Sequence, residues 1–507
     1  VQHFLLGLGA VLVLVVVYDI VQTRHTILRN FPIIGHFRYL LETVGPELRQ
    51  YIVTSNNEER PFSRDERSWV YMSAKKVNNT FGFGTDDDLE LSNNYIVIKH
   101  QSFPLADPDV GEDVFEREHP LPCAKVLGEA RGRRQAFRPA SIVNISAMSF
   151  GSLSRPAIEA LNRGAKRAGC LHNTGEGGIS RYHLHGGELV WQLGTAYFGA
   201  RDARGHFDKA RFVEQCARHP VRAVEIKLSQ GAKPGKGGIL PGRKVTEEIA
   251  AIRGIPVGQR CVSPPHHTAF HDVDSMLDFV EELAEATGLP VGIKSAVGEQ
   301  RFWDDLALQM SRTDRGVDFI AVDGGEGGTG AAPLVFSDHV SLPFKIGMSR
   351  VYRTMAEVGL HEKVVFIGAG RLGFPEQALL AFALGCDMIG VAREAMLAIG
   401  CIQAQRCHTD HCPTGVATQN RWLTRGLVPD DKAPRLGNYV VMLRKEIVEI
   451  ARACGVPHPS LVTGDQLEIL DGRFGAVRVD RLFGYEEGWG LPSEADRLAI
   501  VELMGRP

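Results

Sequence analysis

Three cysteines raise the first chemical question. Cys401, Cys407 and Cys412 fall within a dozen residues, while the other six of the nine cysteines are scattered singly. Thiolates spaced this closely usually converge on a metal, and a soft sulfur set suits zinc or an iron–sulfur cluster. Zinc needs a fourth ligand, which His408 or His411 could supply. The plain alternative is three small hydrophobes in a helix and loop. Spacing alone leaves zinc and iron–sulfur both open.

A second set of residues sits at or just beyond short apolar runs. Ser146, Met148 and Ser149 follow Ile142–Ile145, and Glu176 follows Cys170–Thr174. Lys227 and Lys294 lie on strand-like runs, with Gly-rich stretches at 231–238 and 323–330. The turns Gly368-Ala-Gly370-Arg371 and Gly390–Arg393 have the form of a barrel phosphate site. Inward-pointing Lys227 and Lys294 would suit a flat anionic cofactor such as a flavin. Lys233 and Arg253 could clamp a carboxylate, and Glu176 could orient or protonate an amine or imine. Each motif taken singly is weak, because Gly-rich loops are common and a strand lysine often only pairs with a carboxylate.

The elements that must position these groups follow from periodicity. The predicted strands are Ile142–Ala147, Cys170–Thr174, Ala223–Leu228, Gln259–Val262, Val291–Ser295, Phe319–Asp323, Val364–Gly368 and Met388–Ala392. Helical patterns alternate with them. Between Asp274 and Ala286 the residues Met276, Phe279, Val280 and Leu283 share one face, and Pro375 opens another helix that Gly385 closes. Eight alternations predict an α/β fold, a closed (β/α)8 TIM barrel with small N- and C-terminal extensions. One miscounted strand would restore an open sheet.

The 507 residues, 44% hydrophobic and 23% charged with net charge −3, suit one large barrel with appendages. No basic excess points to nucleic acid. Unpaired cysteine spacing argues against a disulfide framework and for a reducing compartment.

From Phe4 to Tyr18 the chain is uncharged and apolar, and counted from Val1 to Tyr18 the run is near the lower limit of about 17 residues for crossing a bilayer. A membrane anchor over residues 1–22 is the expectation, with a signal peptide and a buried helix as alternatives. Arg24, Arg29 and Arg38 all follow the run, which predicts a single-pass protein of the cell membrane with a cytoplasmic catalytic part. Residues 23–115 read as an irregular cap or linker with a turn-rich piece around 78–85 and a strand at Tyr95–Lys99. Residues 116–430 read as the barrel and its cysteine loop. Residues 431–507 read as a helical extension, with helices from about Asn438 to Cys454 and from Ser493.

Cys401-x5-Cys407-x4-Cys412-Pro-x-Gly-Val-Ala-Thr-Gln resembles the 3Fe-4S signature of the FMN-binding synthase domain of glutamate synthases. The resemblance extends through Ser146-Ala-Met-Ser-Phe-Gly, His172-Asn-Thr-Gly-Glu-Gly-Gly, Gln230-Gly-Ala-Lys-Pro-Gly, Ser263-Pro-Pro-His-His and Asp323-Gly-Gly-x-Gly-Gly-Thr-Gly. It covers about residues 140–425 in the family's order. It implies FMN beside a 3Fe-4S cluster, and reduction of 2-iminoglutarate, formed from 2-oxoglutarate and ammonia, to L-glutamate. Cys401, Cys407 and Cys412 would hold the cluster. Ser146, Met148, Ser149, Lys227, Lys294, Gly325, Gly368, Gly370, Gly390 and Arg393 would surround FMN. Lys233 and Arg253 would hold the 2-oxo acid, with Glu176 facing the imine. Electrons would enter at the cluster and leave from the flavin.

Three departures from the family pattern matter. An apolar helix stands where the large enzymes carry an amidotransferase domain, so ammonia is expected from solution or a separate subunit. The family's Gly-Gly-Gln-Leu-Pro-Gly reads Gly237-Gly-Ile239-Leu-Pro-Gly, which removes a side chain that helps hold 2-oxoglutarate. The residues after 425 are too few for the family's terminal β-helix domain. This is the pattern of the stand-alone, glutamate synthase-related branch. No second dinucleotide-binding half is apparent, which favours a reduced ferredoxin as donor over NADPH. Two other readings compete. One is a membrane-tethered electron-transfer module without amidating turnover, or an enzyme of a different 2-oxo acid. The other is a flavin-dependent hydroxy-acid oxidase, which would leave the cysteine triad without a role.

Overall fold

The computed structural model describes residues 2–77, 80, 82–85, 87–90, 92–106 and 119–505. Part of the turn expected around 78–85, at Asn78, Asn79 and Phe81, and the boundary expected at 115/116 lie outside these residues. The chain divides into two units, one ending at Ser68 and one beginning at Trp69.

In the first unit, Gln2–Val21 is one helix of 20 residues, long and apolar enough to cross a membrane by length and composition. A signal sequence or a buried core helix passes the same test, although only 6% of this helix's apolar window is buried. In its last turn is Asp19, whose carboxylate accepts the Ile33 N–H at 3.0 Å and lies 2.9 Å from His36 Nε2. This contact folds the chain back into the helix Ile34–Leu48.

Among the described residues the second unit holds thirteen strands in chain order: β1 Asn93–Ile98, β2 Val143–Ile145, β3 His172–Asn173, β4 Leu189–Leu193, β5 Val221–Lys227, β6 Ile239–Leu240, β7 Cys261–Val262, β8 Val291–Ala296, β9 Phe319–Asp323, β10 Val365–Ala369, β11 Met388–Val391, β12 Leu467–Asp471 and β13 Ala476–Arg478. Strands β2, β3, β4, β5, β8, β9, β10 and β11 close into a parallel barrel in that order. The predicted TIM barrel is therefore present. One strand differs. Gln259–Val262 is not a barrel stave: Cys261–Val262 pairs antiparallel with Ile239–Leu240 in a separate two-stranded ribbon. The place is taken by Leu189–Leu193, paired to β3 and β5. All five of its residues are buried, so it carries no polar alternation to mark it, whereas Val262 is exposed.

Residues 121–138 run beneath the N-terminal ends of the staves. Lys125 Nζ donates to Val364 O at 2.8 Å and pairs with Asp387 at 3.1 Å; Arg133 pairs with Asp318 at 2.9 Å. Buried ion pairs here close the bottom and leave the C-terminal mouth for chemistry. The helix Pro429–Ala453 begins at its proline, well before the expected Asn438, because Pro at the first helical position lacks only an N–H that is unpaired there anyway. It packs on Arg155–Ala168, where a Cβ on Gly164 would fall 2.7 Å from Leu436 Cβ. Ser493 caps the last helix by accepting the Asp496 N–H. β1 joins β12 and β13 in one small sheet, so the strand expected at Tyr95–Lys99 pairs with the C-terminal extension.

Candidate active site and cysteine loop

Barrel alternation places Glu225 and Lys227 on one face of β5, and Lys227 is in register with Lys294 of β8. Both lysines meet carboxylates. Lys227 Nζ lies 3.3 Å from Glu176 Oε2, and Lys294 Nζ lies 3.5 Å from Asp323 Oδ2. Burial favours the neutral form of Lys294, yet Asp323 and Glu225 outweigh it and hold its pKa above the usual lysine value. Glu225 accepts from Asn173 Nδ2 at 2.9 Å and from Gln192 Nε2 at 2.5 Å, a buried polar network that the motif reading missed. Its signal was the two-residue spacing from Lys227.

Glu176 stands at the centre of the mouth. Burial pushes its carboxyl pKa up, but Lys227, Lys233 and Arg253 together hold it below the usual range. It is therefore a carboxylate at neutral pH, which suits orienting an N–H rather than donating a proton. Two glycines make room for it: a Cβ at Gly238 would fall 2.1 Å from Glu176 Oε1, and one at Gly194 would fall 2.6 Å from Glu176 Cβ. Lys233, 4% exposed, donates to Ala331 O at 3.1 Å. Burial and the neighbouring Lys227, opposed by Glu176, bring its pKa down to about 8. Arg253, 5% exposed, donates from Nη2 to Phe150 O at 3.1 Å and lies over the Phe198 ring, while its Nε has no hydrogen-bond partner among the described residues. The three residues expected to handle substrate are thus brought together around one carboxylate.

Gln230 links the strands' loops. It accepts from Lys227 Nζ at 2.7 Å and donates to Gly328 O at 3.2 Å. His267, from the Ser263-Pro-Pro-His-His segment, holds the end of β5. Its pKa is brought down to about 4 by burial, so the ring is neutral. Nε2 donates to Lys227 O at 2.9 Å and Nδ1 accepts from Tyr197 OH at 3.0 Å. That hydroxyl in turn accepts the N–H groups of Thr268 and Ala269.

The residues expected around a flavin mostly share the same mouth. Ser146 N donates to Val391 O, and a Cβ at Gly390 would stand 3.3 Å from Ser146 Cβ. Met148 O accepts from His183 Nε2 at 3.0 Å, and Ser149 Oγ closes on the site of a Gly175 Cβ at 2.5 Å. Gly370, at φ +126, adopts a conformation that side-chain-bearing residues rarely take, beside Gly324. Gly325 N donates to Leu342 O at 2.8 Å. Arg393 Nη2 donates to Glu326 O, and Arg371 stands close enough to oppose its charge. Gly368 differs from these. A Cβ there would meet Leu372, Phe344 and Cys386, so its small size serves the packing behind the strand.

The cysteine loop follows β11 and the short helix Arg393–Ala398. It turns through Gln403, Gln405 and Asp410, all at positive φ, each an on-the-order-of 1 kcal/mol strain for a non-glycine residue. Cys401 senses both other thiols and Cys407 senses Cys412, and burial pushes the Cys401 thiol up to about 12. Gln403 N–H points at Cys401 Sγ at 3.4 Å, and Thr414 Oγ1 lies 3.5 Å from Cys412 Sγ. Among the described residues no three His, Cys, Asp or Glu side chains are grouped as a metal-ion site. Gln419 fastens the loop to the barrel, donating to Gly151 O at 3.0 Å and Leu153 O at 2.9 Å. Lys244 fastens it again, donating to Ser152 O at 2.8 Å and Cys407 O at 3.1 Å. Gln419 closes the quoted cysteine signature, whereas Lys244 was not singled out by any motif.

A family profile described as "Conserved region in glutamate synthase" matches residues 125–457. The "Glutamate synthase large subunit-like protein YerD" of Bacillus subtilis is 36% identical over 90% of this chain and 93% of its own length. The "Archaeal-type glutamate synthase [NADPH]" of Thermotoga maritima is 34% identical over 83% of this chain and 77% of its own. Among solved structures, mandelate oxidase with 3,3-difluoro-2-hydroxy-3-phenylpropionic acid aligns at 14% identity and TM-score 0.42, covering 81% of this chain and 98% of that one. By the profile match and by these relatives, the chain belongs to the glutamate synthase family.

Proposed function

We propose that this chain is an FMN and 3Fe-4S oxidoreductase that reduces 2-iminoglutarate, formed from 2-oxoglutarate and ammonia, to L-glutamate. One observation carries the reading: Lys227, Lys233 and Arg253 share the single carboxylate of Glu176 in a buried mouth. Such an excess of positive charge suits a 2-oxo dicarboxylate, and the unpartnered Arg253 Nε leaves a donor for it. Lys233, with its pKa near 8, can hold a carboxylate and carry a proton to the substrate side. Glu176 as a carboxylate orients the imine N–H.

The residues fit both expected groups. Arg371 and Arg393 repel each other at the ends of adjacent strands, a pairing that a phosphate would neutralise. The paired Lys227 and Lys294 suit the electron-rich edge of a flavin, with Ser146, Met148, Ser149, Gly325, Gly370 and Gly390 forming its wall and Gly368 behind. Three mutually interacting thiols on a strained loop, two of them facing donors, suit a cluster in which Cys401, Cys407 and Cys412 each bind a different iron. When bound, the cluster supplies one-electron entry and the flavin two-electron reduction of a C=N bond.

The apolar helix Gln2–Val21 supports anchoring in the cell membrane, with the barrel on the cytoplasmic side. Among the described residues the barrel is the one parallel sheet, and no open dinucleotide-binding sheet accompanies it. The donor in this reading is a reduced ferredoxin-type carrier, whereas the names of several relatives specify NADPH. Ammonia would arrive free or from a separate subunit. Ile239 favours a second reading, turnover of a different 2-oxo acid or electron transfer without amidation. It lies half-buried beside Gly238, which touches Glu176. Anaerobic purification tests the cofactor reading: flavin bands and a 3Fe-4S electron paramagnetic resonance signal are expected, and colourless, iron-free protein would refute it.

A further inference from the structure

Lys244 is 2% exposed, and among the described residues its ammonium donates only to two neutral carbonyls, Ser152 O and Cys407 O. Burying an ammonium without a compensating charge is costly. Burial lowers the Lys244 pKa; Asp410, Cys407 and Cys412 act against that lowering and Arg243 adds to it. Asp410 is already engaged, its Oδ1 accepting Gln419 N at 2.7 Å and Thr418 Oγ1 at 3.0 Å. The charge therefore faces the cysteine loop.

The position is built rather than incidental. Lys244 ends the short turn Gly242–Lys244, and a Cβ at Gly242 would fall 2.4 Å from Gly258 O, so that turn is wedged against residues 258–260. Lys244 and Gln419 together take the carbonyls of Gly151, Ser152 and Leu153, the turn that follows Ser146–Ser149 at the mouth.

We propose that Lys244 is the fixed counter-charge of the iron–sulfur cluster, raising its reduction potential while clamping the cysteine loop to the turn after β2. The inference rests on the cluster reading above. Reduction adds a negative charge to a thiolate-ligated cluster, and a buried cation beside it favours that step, since cluster potential follows local charge and hydrogen bonding. Lys244 acts through the cluster and is a positioning residue.

The test is a redox titration of anaerobically purified holoprotein, followed by the electron paramagnetic resonance of the cluster, in wild type, Lys244→Met, Lys244→Arg and Arg243→Met. Lys244→Met is expected to lower the cluster midpoint so that reduction becomes about tenfold less favourable, or about 59 mV for one electron. Lys244→Arg is expected to recover most of that shift, and the exposed Arg243→Met to leave it near wild type. An iron-replete Lys244→Met with an unmoved potential overturns the proposal, as does an equal shift in Lys244→Arg. If Lys244→Met assembles no cluster, full iron in Lys244→Arg supports the counter-charge and iron loss in both overturns it. Iron-free wild type overturns the cluster reading itself, and this proposal with it.

Discussion

Glu176 Oε2 and Lys227 Nζ stand 3.3 Å apart at the C-terminal mouth of the barrel, one from the loop after β3 and one from the end of β5. The pairing helps keep Glu176 ionised in a buried site, where Lys233 and Arg253 act on the same carboxylate. It divides the chemistry. In the proposed reaction the carboxylate would orient the imine, and Lys233 and Arg253 would recognise the substrate's anionic end.

Glu176→Gln should leave flavin and iron content intact and lower kcat/KM by about 100-fold or more, the scale of a positioned acid–base or orienting group. Gly238→Ala should reproduce part of this loss. Its Cβ would occupy the space of Glu176 Oε1 and push the carboxylate away from Lys227. Steady-state kinetics alongside flavin and iron quantitation checks both. Normal rates in Gly238→Ala would mean that Glu176 is free to move.

The pH profile follows from Lys233. Its pKa lies near 8 rather than at the ordinary 10.5, so the anion-binding ammonium is complete below that value and is lost as pH rises through it. kcat/KM, which reports the free enzyme, should fall above about pH 8. Lys233→Arg keeps its charge at every accessible pH and should remove this alkaline limb, whatever it does to the absolute rate.

Ile239→Gln tests the substrate. A side-chain donor placed beside the site should lower KM for 2-oxoglutarate about 5- to 30-fold, the equivalent of about 1–2 kcal/mol for one hydrogen bond. An unchanged KM would favour an acid that is recognised without this position.

Cys407→Ser should abolish the cluster signal and donor-driven turnover while retaining the flavin bands. Difference spectra of the two purified proteins check this. A variant with unaltered iron content would remove Cys407 from the ligand set.

The barrel was legible because most of its staves are short apolar runs between helical patterns. Leu189–Leu193 was not, since a fully buried stave has no alternation, and Gln259–Val262 resembled a strand because it is one, in a ribbon beside the barrel. The motif residues Glu176, Lys233 and Arg253 could be named from the sequence because their neighbours are distinctive. The contacts of the groups that hold them could not. Glu225, Gln230, His267 and Gln419 stand in or beside the recognised motifs, but most of their partners, like those of Tyr197 and Lys244, lie tens to hundreds of residues away, and only folding reveals which carbonyl or carboxylate each one meets. Gly238 and Gly194 are similar, since their smallness matters only beside Glu176.

The central claim is that this mouth reduces an imino acid. The most direct measurement is single turnover: reduced holoprotein mixed anaerobically with 2-oxoglutarate and ammonium, with L-glutamate and flavin absorbance followed together. The account predicts one glutamate for each flavin reoxidised, and none when either the oxo acid or ammonium is omitted. Flavin that stays reduced in the complete mixture, or reoxidises without glutamate, would contradict it.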